Sequence, residues 1–569
     1  MNNRSFLAIS LSVAAGLALL TLVLHGSALR GFWRIDDSWI LYYVTEHPDA
    51  AGYFFSPRYW QALGAGCFTP WLALEYRLDF VLFGLNPKMF YAHQLFIIWL
   101  AALLTLILVR RHAGLVWGGI AATLFLMGAP TTVVAQQIIA RHYATGLIFA
   151  ILAILLWQQA SEQPRRSVIL RWLATICYLL AMLNKEIFAP LPLPLFFFGE
   201  GKISWRVRAI IPLALIAASF IFWRSLMLGK FIGGYTDNLF GMDNLVDWFT
   251  VLPRILVGTG WPILALGLAL LLAIGGIVRR SPLRHLLVLL ATVVALLLPL
   301  LALQANADPI NLRYAFVLWW GICILLTLGV ARTVPVHLAP GILFPQLRML
   351  GGLALMLITV AAVFLHARTT AKAYAVVTDN LDAHGHFMWS QDETLGYIPH
   401  GEAAGFAIIY AYPLFVLKQQ ALGKKTPHPF PFVEYANQFG ATLPIYAYDP
   451  AAASMKLAVE KPGGLSFQST MPLSLTIDRR DGGFYMHVEQ PVDGACFLIF
   501  PEKHMSSSVP CSINIRFDPP SWLQGKFQLV VISPEKDWNA SPWFDFPEKG
   551  SILAWDSAGS SLPIPGKVP

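Results

Sequence analysis

Apolar runs dominate this chain, and they constrain its fold more than any other feature. Each run is long enough, or nearly so, for a helix that crosses a lipid bilayer, which takes about 20 residues. The runs cover residues 5–24, 89–109, 114–130, 143–158, 169–184, 187–199, 209–228, 255–278, 285–303, 314–331 and 349–366. They predict a polytopic α-helical membrane protein with about eleven transmembrane helices. The weakest run is 187–199, because it is short and contains three prolines.

The composition indicates that lipid surrounds much of the surface. Of the 569 residues, 56% are hydrophobic and 13% are charged, whereas a soluble domain carries about 25% charged residues. The net charge of +8 has a simple source in the Lys and Arg of cytoplasmic loops, and no basic face with interleaved aromatic residues indicates nucleic-acid binding. Residues 5–24 lack a clear cleavage site, so we interpret them as a retained first helix.

The charges in the loops assign an orientation to the spans. With the N-terminus in the cytoplasm, the inner loops contain only two acids, Glu162 and Glu200. Their basic residues are Arg110, Arg111, Arg165, Arg166, Arg171, Lys202, Arg206, Arg208, Arg279, Arg280, Arg284, Arg332 and Arg348. The acids of the outer loops are Asp36, Asp37, Glu46, Asp49, Glu75, Asp79, Glu186, Asp237, Asp243, Asp247 and Asp308. This asymmetry predicts a multi-pass protein of the inner (cytoplasmic) membrane whose C-terminal tail is extracytoplasmic.

The composition also divides the chain into three parts. Residues 1–366 form the predicted transmembrane domain, with a long, aromatic-rich outer loop over 25–88 that predicts short helices in the membrane interface. Residues 367–463 are a mixed linker and helical region, in which the apolar run 403–417 predicts a buried or interfacial helix rather than a span. Residues 464–569 are predicted to form a β-rich extracytoplasmic domain.

The prediction of a β-rich domain rests on alternating polar and apolar residues. The predicted strands are 465–468, 473–477, 484–488, 496–500, 512–517 and 527–532. Glycine-rich turns such as 481–483 separate some of them, which is typical of a β-sandwich or an α+β domain. Cys496 and Cys511 lie on neighbouring predicted strands in a compartment where disulfides persist, so we expect them to approach each other.

Two adjacent acids, Asp36 and Asp37, follow the first apolar run. Neighbouring carboxylates at a membrane face lose hydration and repel each other, which favours a functional reason for their presence, such as a general base or a cation ligand. The structural alternative is that Asp36 caps a helix over 38–45 and that Asp37 interacts with the positive N-terminal end of its dipole.

Five short motifs follow one another on the predicted outer face. They are Ile35-Asp36-Asp37-Ser38-Trp39, Phe68-Thr69-Pro70-Trp71, Leu82-Phe83-Gly84-Leu85-Asn86-Pro87, Leu183-Asn184-Lys185-Glu186 and Leu312-Arg313-Tyr314. In this order they resemble the GT-C superfamily of membrane glycosyltransferases, such as protein O-mannosyltransferases and aminoarabinose transferases, over residues 1–330. The resemblance implies a polyprenyl-phosphate-linked sugar donor, bound from the outer leaflet. It also implies transfer of a hexose or pentose to an envelope glycan, lipid or protein acceptor.

Such a transfer needs a base for the acceptor hydroxyl and cations for the leaving phosphate. Asp36 and Asp37 are the candidate bases. Neighbouring residues on a helix point about 100° apart, so only one of them can be the direct base, and we assign this role to Asp37. The candidate substrate-binding residues are Arg141, Lys185, Glu186, Arg224, Arg313 and Tyr314. We expect one of the two carboxylates to share a cavity with at least one of these cations.

Each candidate also has a structural alternative. Lys185 and Glu186 fit an ion pair or snorkelling charges, Arg141 fits an interfacial anchor, and Arg313-Tyr314 fits an aromatic interface belt. His93, within a span, is expected to be a satisfied polar group of the core. No cofactor is assigned, because the lipid-linked sugar is a substrate, and the sequence leaves a divalent metal ion open.

Two other classes of function remain open at this point. A lipid-linked saccharide transporter or flippase would also use outer cations and an aromatic interface. It would not need the carboxylate pair, and it would be expected to show charges deeper in several spans and paired broken helices in two halves. A non-catalytic membrane scaffold is the third class.

Overall fold

The computed structural model describes most of the chain in two compact units. The described residues are 3–63, 67–198, 202–229, 242–280, 283–302, 308–333, 343–390, 396–398, 428–438, 444–449, 452, 454–458, 465–469, 471–480, 483–489, 495–500, 505–509, 512–515 and 525–557. The first unit comprises Met1–Gly31, Cys67–Ser225 and Asn238–Ala375. The second comprises Phe32–Gly66, Leu226–Asp237 and Val376–Pro569.

The first unit is helical. Its helices are α1 (Asn3–His25), α5 (Pro70–Phe83), α6 (Pro87–Ala113), α7 (Leu115–Met127), α8 (Ala129–Ala135), α9 (Arg141–Glu162), α10 (Ser167–Asn184), α11 (Pro192–Phe198), α12 (Ile203–Leu228), α13 (Met242–Val257), α14 (Trp261–Arg280), α15 (Leu283–Leu297), α16 (Phe316–Thr333) and the first part of α17 (Leu343–Ser390). Short 3-10 turns precede α9 at Ile138–Ala140, follow α10 at Glu186–Phe188 and precede α16 at Pro309–Ala315. These turns carry three of the six candidate site residues of this unit, namely Glu186, Arg313 and Tyr314.

The helices confirm the predicted polytopic membrane architecture. Among the described residues, 8 helices are long and apolar enough to cross a membrane, or 9 if α7 and α8, which are bent by 63° at their junction, form one span. Every predicted run coincides with a helix, but 187–199 and 285–303 correspond to shorter apolar helices. The count of eleven spans therefore stays a prediction.

Helix α9 lies largely in the interior of this unit, because 83% of the apolar stretch within Ile138–Glu162 is buried. Helices α14 and α16 approach each other through small residues, as is typical of membrane helices, which gain little from the hydrophobic effect and pack by close contact. A Cβ atom added at Gly276 on α14 would lie 2.5 Å from the carbonyl oxygen of Gly329 on α16. Glycine is therefore required at this crossing.

The second unit combines part of the first outer loop with the C-terminal part of the chain. Its helices are α2 (Asp37–Glu46), α3 (Ala50–Phe55), α4 (Pro57–Leu63), the end of α17, and α18 (Val433–Gln438). The unit boundary lies inside α17, between residues 375 and 376, rather than at the end of the last apolar run. The division of the sequence at 366 and 463 stays a prediction. The expected short helices of the outer loop are present as α2 to α5.

Three sheets form the rest of this unit. The strands are β1 (Gly396–Ile398), β2 (His428–Pro429), β3 (Ile445–Asp449), β4 (Ser454–Leu457), β5 (Ser466–Phe467), β6 (Ser474–Arg480), β7 (Gly483–Glu489), β8 (Ala495–Phe500), β9 (Met505–Val509), β10 (Ser512–Ile515), β11 (Lys526–Ile532), β12 (Asp537–Ala540), β13 (Phe544–Asp545) and β14 (Ile552–Asp556). Their orders are β2-β1-β3-β4, β10-β7-β6-β14 and β5-β12-β11-β8-β9, with β13 paired to β11.

The second and third sheets share one core and form a sandwich. Alternate side chains of β6, β7, β8 and β11 point into it, including Ile477, Met486, Leu498 and Leu529, which are almost completely buried. All six predicted strands have a counterpart, which confirms that the C-terminal region is rich in strands. The bounds of the predicted domain and its side of the membrane stay predictions. The run 403–417, the predicted strand residues 516 and 517, and Cys511 lie outside the described residues, so the expected pairing with Cys496 stays a prediction.

The helix crossing at Gly276 can be tested with a neighbouring glycine as control. We expect Gly276→Ala to lower the melting temperature in detergent, because overpacking against backbone costs about 1–3 kcal/mol. Gly275→Ala should leave it unchanged or raise it, since nothing lies within 4 Å of a Cβ there and alanine is the better helix former by about 1 kcal/mol. Equal effects of the two substitutions would contradict the close crossing.

Candidate active site

The acidic pair lies at the start of α2 in the second unit. Asp36 occupies the N-cap position, and its side chain makes no capping hydrogen bond. Asp37 is in the first turn of the helix and is completely buried. Its Oδ2 accepts a hydrogen bond of 2.9 Å from the backbone N–H of Arg34. The structural alternative therefore fits Asp37, beside the helix dipole, better than it fits Asp36.

Accessibility separates the two carboxylates. Asp36 is partly exposed, whereas Asp37 is buried and oriented by a backbone N–H. A general base has to reach the proton of its substrate at hydrogen-bond distance. The sequence preference for Asp37 as the base stays a prediction, and the burial of the two side chains favours Asp36 for the contact with a hydroxyl.

The backbone before the pair is strained. Ile35 has φ of 52°, in the left-handed region that β-branched residues rarely adopt. Such a residue costs on the order of 1–3 kcal/mol and persists only where its surroundings hold it, which is common at functional sites. The chain therefore presents the acids from a turn whose conformation is imposed by its neighbours.

A second group of candidates lies together in the first unit, at the start of α9, the end of α10 and the start of α16. Lys185 is 8% exposed, and its Nζ lies 5.7 Å from the ring centroid of Tyr143. The rings of Tyr143 and Tyr314 are 6.5 Å apart, and the guanidinium of Arg313 lies 5.4 Å from the Tyr314 ring centroid. Two cations thus flank two tyrosines. We call Lys185, Tyr143, Tyr314 and Arg313 the cation–tyrosine cluster.

Polar contacts fix one end of this cluster. Arg313 donates from Nη1 to Oε1 of Gln137 at 2.9 Å, and Gln137 is completely buried. Sequence reasoning assigned no role to Gln137 or Tyr143. The only signal for them was their position beside Arg141 in the same outer segment.

Glu186 and Arg224 form a separate ion pair. Arg224 donates from Nε to Oε1 of Glu186 at 2.5 Å, and the backbone N–H of Phe68 donates to the same oxygen at 3.0 Å. These contacts tie α12 and the segment before α5 to the turn after α10. An ion pair at Glu186 is therefore present, and Arg224 is a partner in it.

Arg141 has a different environment from the other candidate cations. It is completely buried and donates to Oδ2 of Asp79 at 2.5 Å, to Oε1 of Gln94 at 3.2 Å and to the carbonyl of Phe90 at 2.8 Å. His93 binds the other oxygen of Asp79 at 2.8 Å, as expected for a satisfied polar residue. The role of Arg141 in phosphate binding stays a prediction, and its contacts give it a structural role.

The pKa values of two carboxyl groups of α5 are shifted in opposite directions in this buried network. Burial raises the pKa of Glu75, and the charges of Arg141 and His93 oppose that effect only in part. Burial would also raise the pKa of Asp79, but the hydrogen bond from His93 and the charge of Arg141 outweigh it, so this pKa is lowered. Asp79 is therefore the ionised partner of Arg141 at neutral pH.

An apolar cavity of about 520 Å³ lies within the same unit. Residues of α6, α7, α9, α11, α14, α15 and α16 line it, and His112, Gln158 and Arg332 are among the few polar ones. A smaller cavity lined by Tyr143 and Tyr314 shares Ile187, Leu296 and Val317 with it. The cation–tyrosine cluster thus borders apolar space of the size that binding pockets for small molecules have.

The geometry leaves two sequence hypotheses as predictions. The carboxylates and the cations belong to different units, so their expected common cavity stays a prediction. Within the described residues, no group of three or more His, Cys, Asp or Glu side chains is arranged to hold a metal ion. The divalent metal ion that the sequence leaves open stays a prediction.

Comparisons with known proteins give structural likenesses only. No family model and no curated protein matches the chain. The oligosaccharyltransferase AglB of Archaeoglobus fulgidus, in complex with an inhibitory peptide and a dolichol-phosphate, is similar with a TM-score of 0.45 and 12% identity, over 85% of this chain and 75% of that one. A complex of the A. fulgidus oligosaccharyltransferase with Zn and sulfate is similar with a TM-score of 0.42 and 13% identity. The match covers 70% of this chain, which spans 61% of that protein.

A bacterial protein is similar as well. ArnT from Cupriavidus metallidurans, bound to undecaprenyl phosphate, matches with a TM-score of 0.42 and 11% identity, over 79% of this chain and 94% of that one. AglB and ArnT are membrane glycosyltransferases of the GT-C type, the kind of protein that the sequence motifs resemble. These are likenesses of overall structure at low identity, so we assign function from this chain's own residues.

The structural role of Arg141 can be separated from a role in phosphate binding. Breaking a buried ion pair by removing one partner costs about 3–5 kcal/mol. We expect Arg141→Met and Asp79→Asn each to lower the melting temperature strongly, while the double variant Arg141→Met/Asp79→Leu recovers much of the loss. Because the pKa of Asp79 is lowered, the pair stabilises the protein above the unfolded pKa of Asp79. That stabilisation is lost as the pH falls through the lower pKa of the folded state.

Lys88→Met, which removes an exposed cation at the start of α6, is the control. A normal melting temperature for Arg141→Met, together with weakened binding of a polyprenyl phosphate, would contradict the structural role and support the phosphate contact.

Proposed function

We propose that this protein is a glycosyltransferase of the inner (cytoplasmic) membrane. It transfers a hexose or pentose from a polyprenyl-phosphate donor to an envelope glycan, lipid or protein acceptor on the outer face. The observation that carries the proposal is the cation–tyrosine cluster at the border of an apolar cavity. The ordered motifs that resemble GT-C enzymes support it, since Lys185, Arg313 and Tyr314 belong to them.

The cluster suits a phosphate that carries an apolar chain. Arg141 and Arg224 are paired with the carboxylates of Asp79 and Glu186. Lys185 and Arg313 lie beside the rings of Tyr143 and Tyr314, whose faces attract a cation. Lys and Arg bind phosphate oxygens through charge-assisted hydrogen bonds. The adjoining cavity of about 520 Å³ would accept isoprene units of the donor.

The proposed reaction is a single displacement with inversion at the anomeric carbon. The acceptor hydroxyl attacks C1 of the sugar and gives its proton to the carboxylate of Asp36, with Asp37 orienting the turn. The bond between C1 and the phosphate oxygen breaks, and its electron pair stays on polyprenyl phosphate. Lys185 and Arg313 stabilise the charge that develops there, and such electrostatic stabilisation is usually the largest single contribution to catalysis.

A transfer assay in membranes tests these roles. The donors are undecaprenyl-phosphate-linked hexoses and pentoses with a radiolabelled sugar. Transfer is measured as label that leaves the donor and appears in a product separated from it by chromatography. We expect Asp36→Asn to slow transfer by about 10²–10⁴-fold, the usual contribution of a general base. Lys185→Met and Arg313→Met should each weaken donor binding by about 10–100-fold, as expected for lost charge-assisted hydrogen bonds.

Two exposed residues serve as matched controls. Glu46→Gln, at the other end of α2, and Lys88→Met should transfer normally. If the double variant Asp36→Asn/Asp37→Asn folds and transfers sugar at the normal rate, the catalytic assignment fails. If no donor in the panel is consumed while undecaprenyl phosphate still binds, a transporter or scaffold function takes its place.

A further inference from the structure

We propose that Asp382 is a positioning residue for the Asp36-Asp37 turn and that it acts through Arg34. This inference rests on the proposed function, because it assigns the turn a catalytic role. All the residues involved belong to the second unit. Neither Arg34 nor Asp382, which are 348 positions apart, was a candidate from the sequence.

Asp382 binds the segment before the acids through both carboxylate oxygens. Arg34 donates from Nε to Oδ1 at 2.9 Å and from Nη2 to Oδ2 at 2.6 Å. The backbone N–H of Phe32 donates to Oδ1 at 3.1 Å. The side chains of Arg34 and Asp382 are only 5% and 15% exposed. A two-pronged, largely buried contact of this kind fixes orientation as well as distance.

Arg34 passes this orientation on to the acids through its backbone. Its N–H donates to Oδ2 of Asp37 at 2.9 Å, and its carbonyl accepts from the N–H of Asp37 at 3.0 Å. Ile35, in its strained conformation, lies between the two residues. The side chain of Arg34 thus faces α17 while its main chain holds Asp37. The strain at Ile35 can persist because both sides of the turn are tied down.

One face of α17 is built to receive this segment. Asp382, Gly385, His386 and Trp389 follow the spacing of a helix face. The ring of Phe32 lies 4.5 Å from that of His386 and 6.3 Å from that of Trp389, measured between centroids. A Cβ atom at Gly385 would come within 2.3 Å of the Phe32 ring, so the contact requires glycine there.

The same end of α17 also contacts the β-sandwich of this unit. The rings of Phe387 and Tyr446 are 4.8 Å apart, and both pack against the core of the sandwich. The position of the carboxylates therefore depends on a helix end that the C-terminal domain holds. The proposed role of that domain in the reaction is therefore to hold the end of α17, which in turn binds the turn that carries Asp36 and Asp37.

Hydrogen exchange of the full-length protein tests the anchoring without any substrate. We expect Asp382→Asn and Arg34→Lys to speed amide exchange in residues 32–40, because Lys cannot reproduce the fork of Arg. Asp379→Asn removes an exposed carboxylate one turn earlier on α17 and should leave this exchange unchanged. Unchanged exchange in both Asp382→Asn and Arg34→Lys would overturn the proposal.

The transfer assay distinguishes positioning from mere folding. Misplacement of a reacting group can cost about 10²-fold in rate, so Asp382→Asn should lower kcat by that order while the KM for the lipid donor stays the same. Asp382→Glu, which keeps the charge, should restore much of kcat. If Asp36→Asn abolishes transfer and Asp382→Asn does not, the positioning role fails and the proposed function stands. If Asp36→Asn transfers normally, the catalytic role itself fails.

Discussion

A charge that is buried in an apolar protein has to be compensated, and this requirement organises both units of the molecule. Removing a charge from water costs several kcal/mol even after the protein has relaxed around it. An ion pair with good geometry can compensate for this cost. In the first unit Asp79 compensates Arg141, and Glu186 compensates Arg224. In the second unit Asp382 compensates Arg34. In the first unit, Lys185 and Arg313 lie against tyrosine rings.

The sequence predicted the elements of the fold well because their causes are local. Apolar runs of the right length mark helices, and alternation marks strands, so the runs at 89–109 and 314–331 and the strands at 484–488 and 527–532 appear where expected. The division of the sequence at residue 366 stays a prediction. Helix α17 continues through the change of composition at 366 as one regular helix, and only its tertiary contacts divide it.

The site was predicted less completely, because its organisation depends on pairs that are distant in sequence. The motifs drew attention to Lys185, Arg313 and Tyr314, which the fold brings to one cluster. They could not show that Arg141 forms a buried ion pair with Asp79, which lies 62 positions away. The choice of Asp37 over Asp36 as the base stays a prediction, because the difference in exposure of the two residues comes from packing around α2 and not from local sequence.

The most direct test of the central claim is to locate the donor's phosphate on the protein. An undecaprenyl phosphate with a photoreactive diazirine beside the phosphate can be crosslinked in membranes, and the labelled peptides can be identified by mass spectrometry. We predict label in the peptides that contain Tyr143, Ile187 and Tyr314, with a strong decrease in the variants Lys185→Met and Arg313→Met and none in Lys88→Met. Label confined to other parts of the chain, or unchanged in both cation variants, would contradict the account.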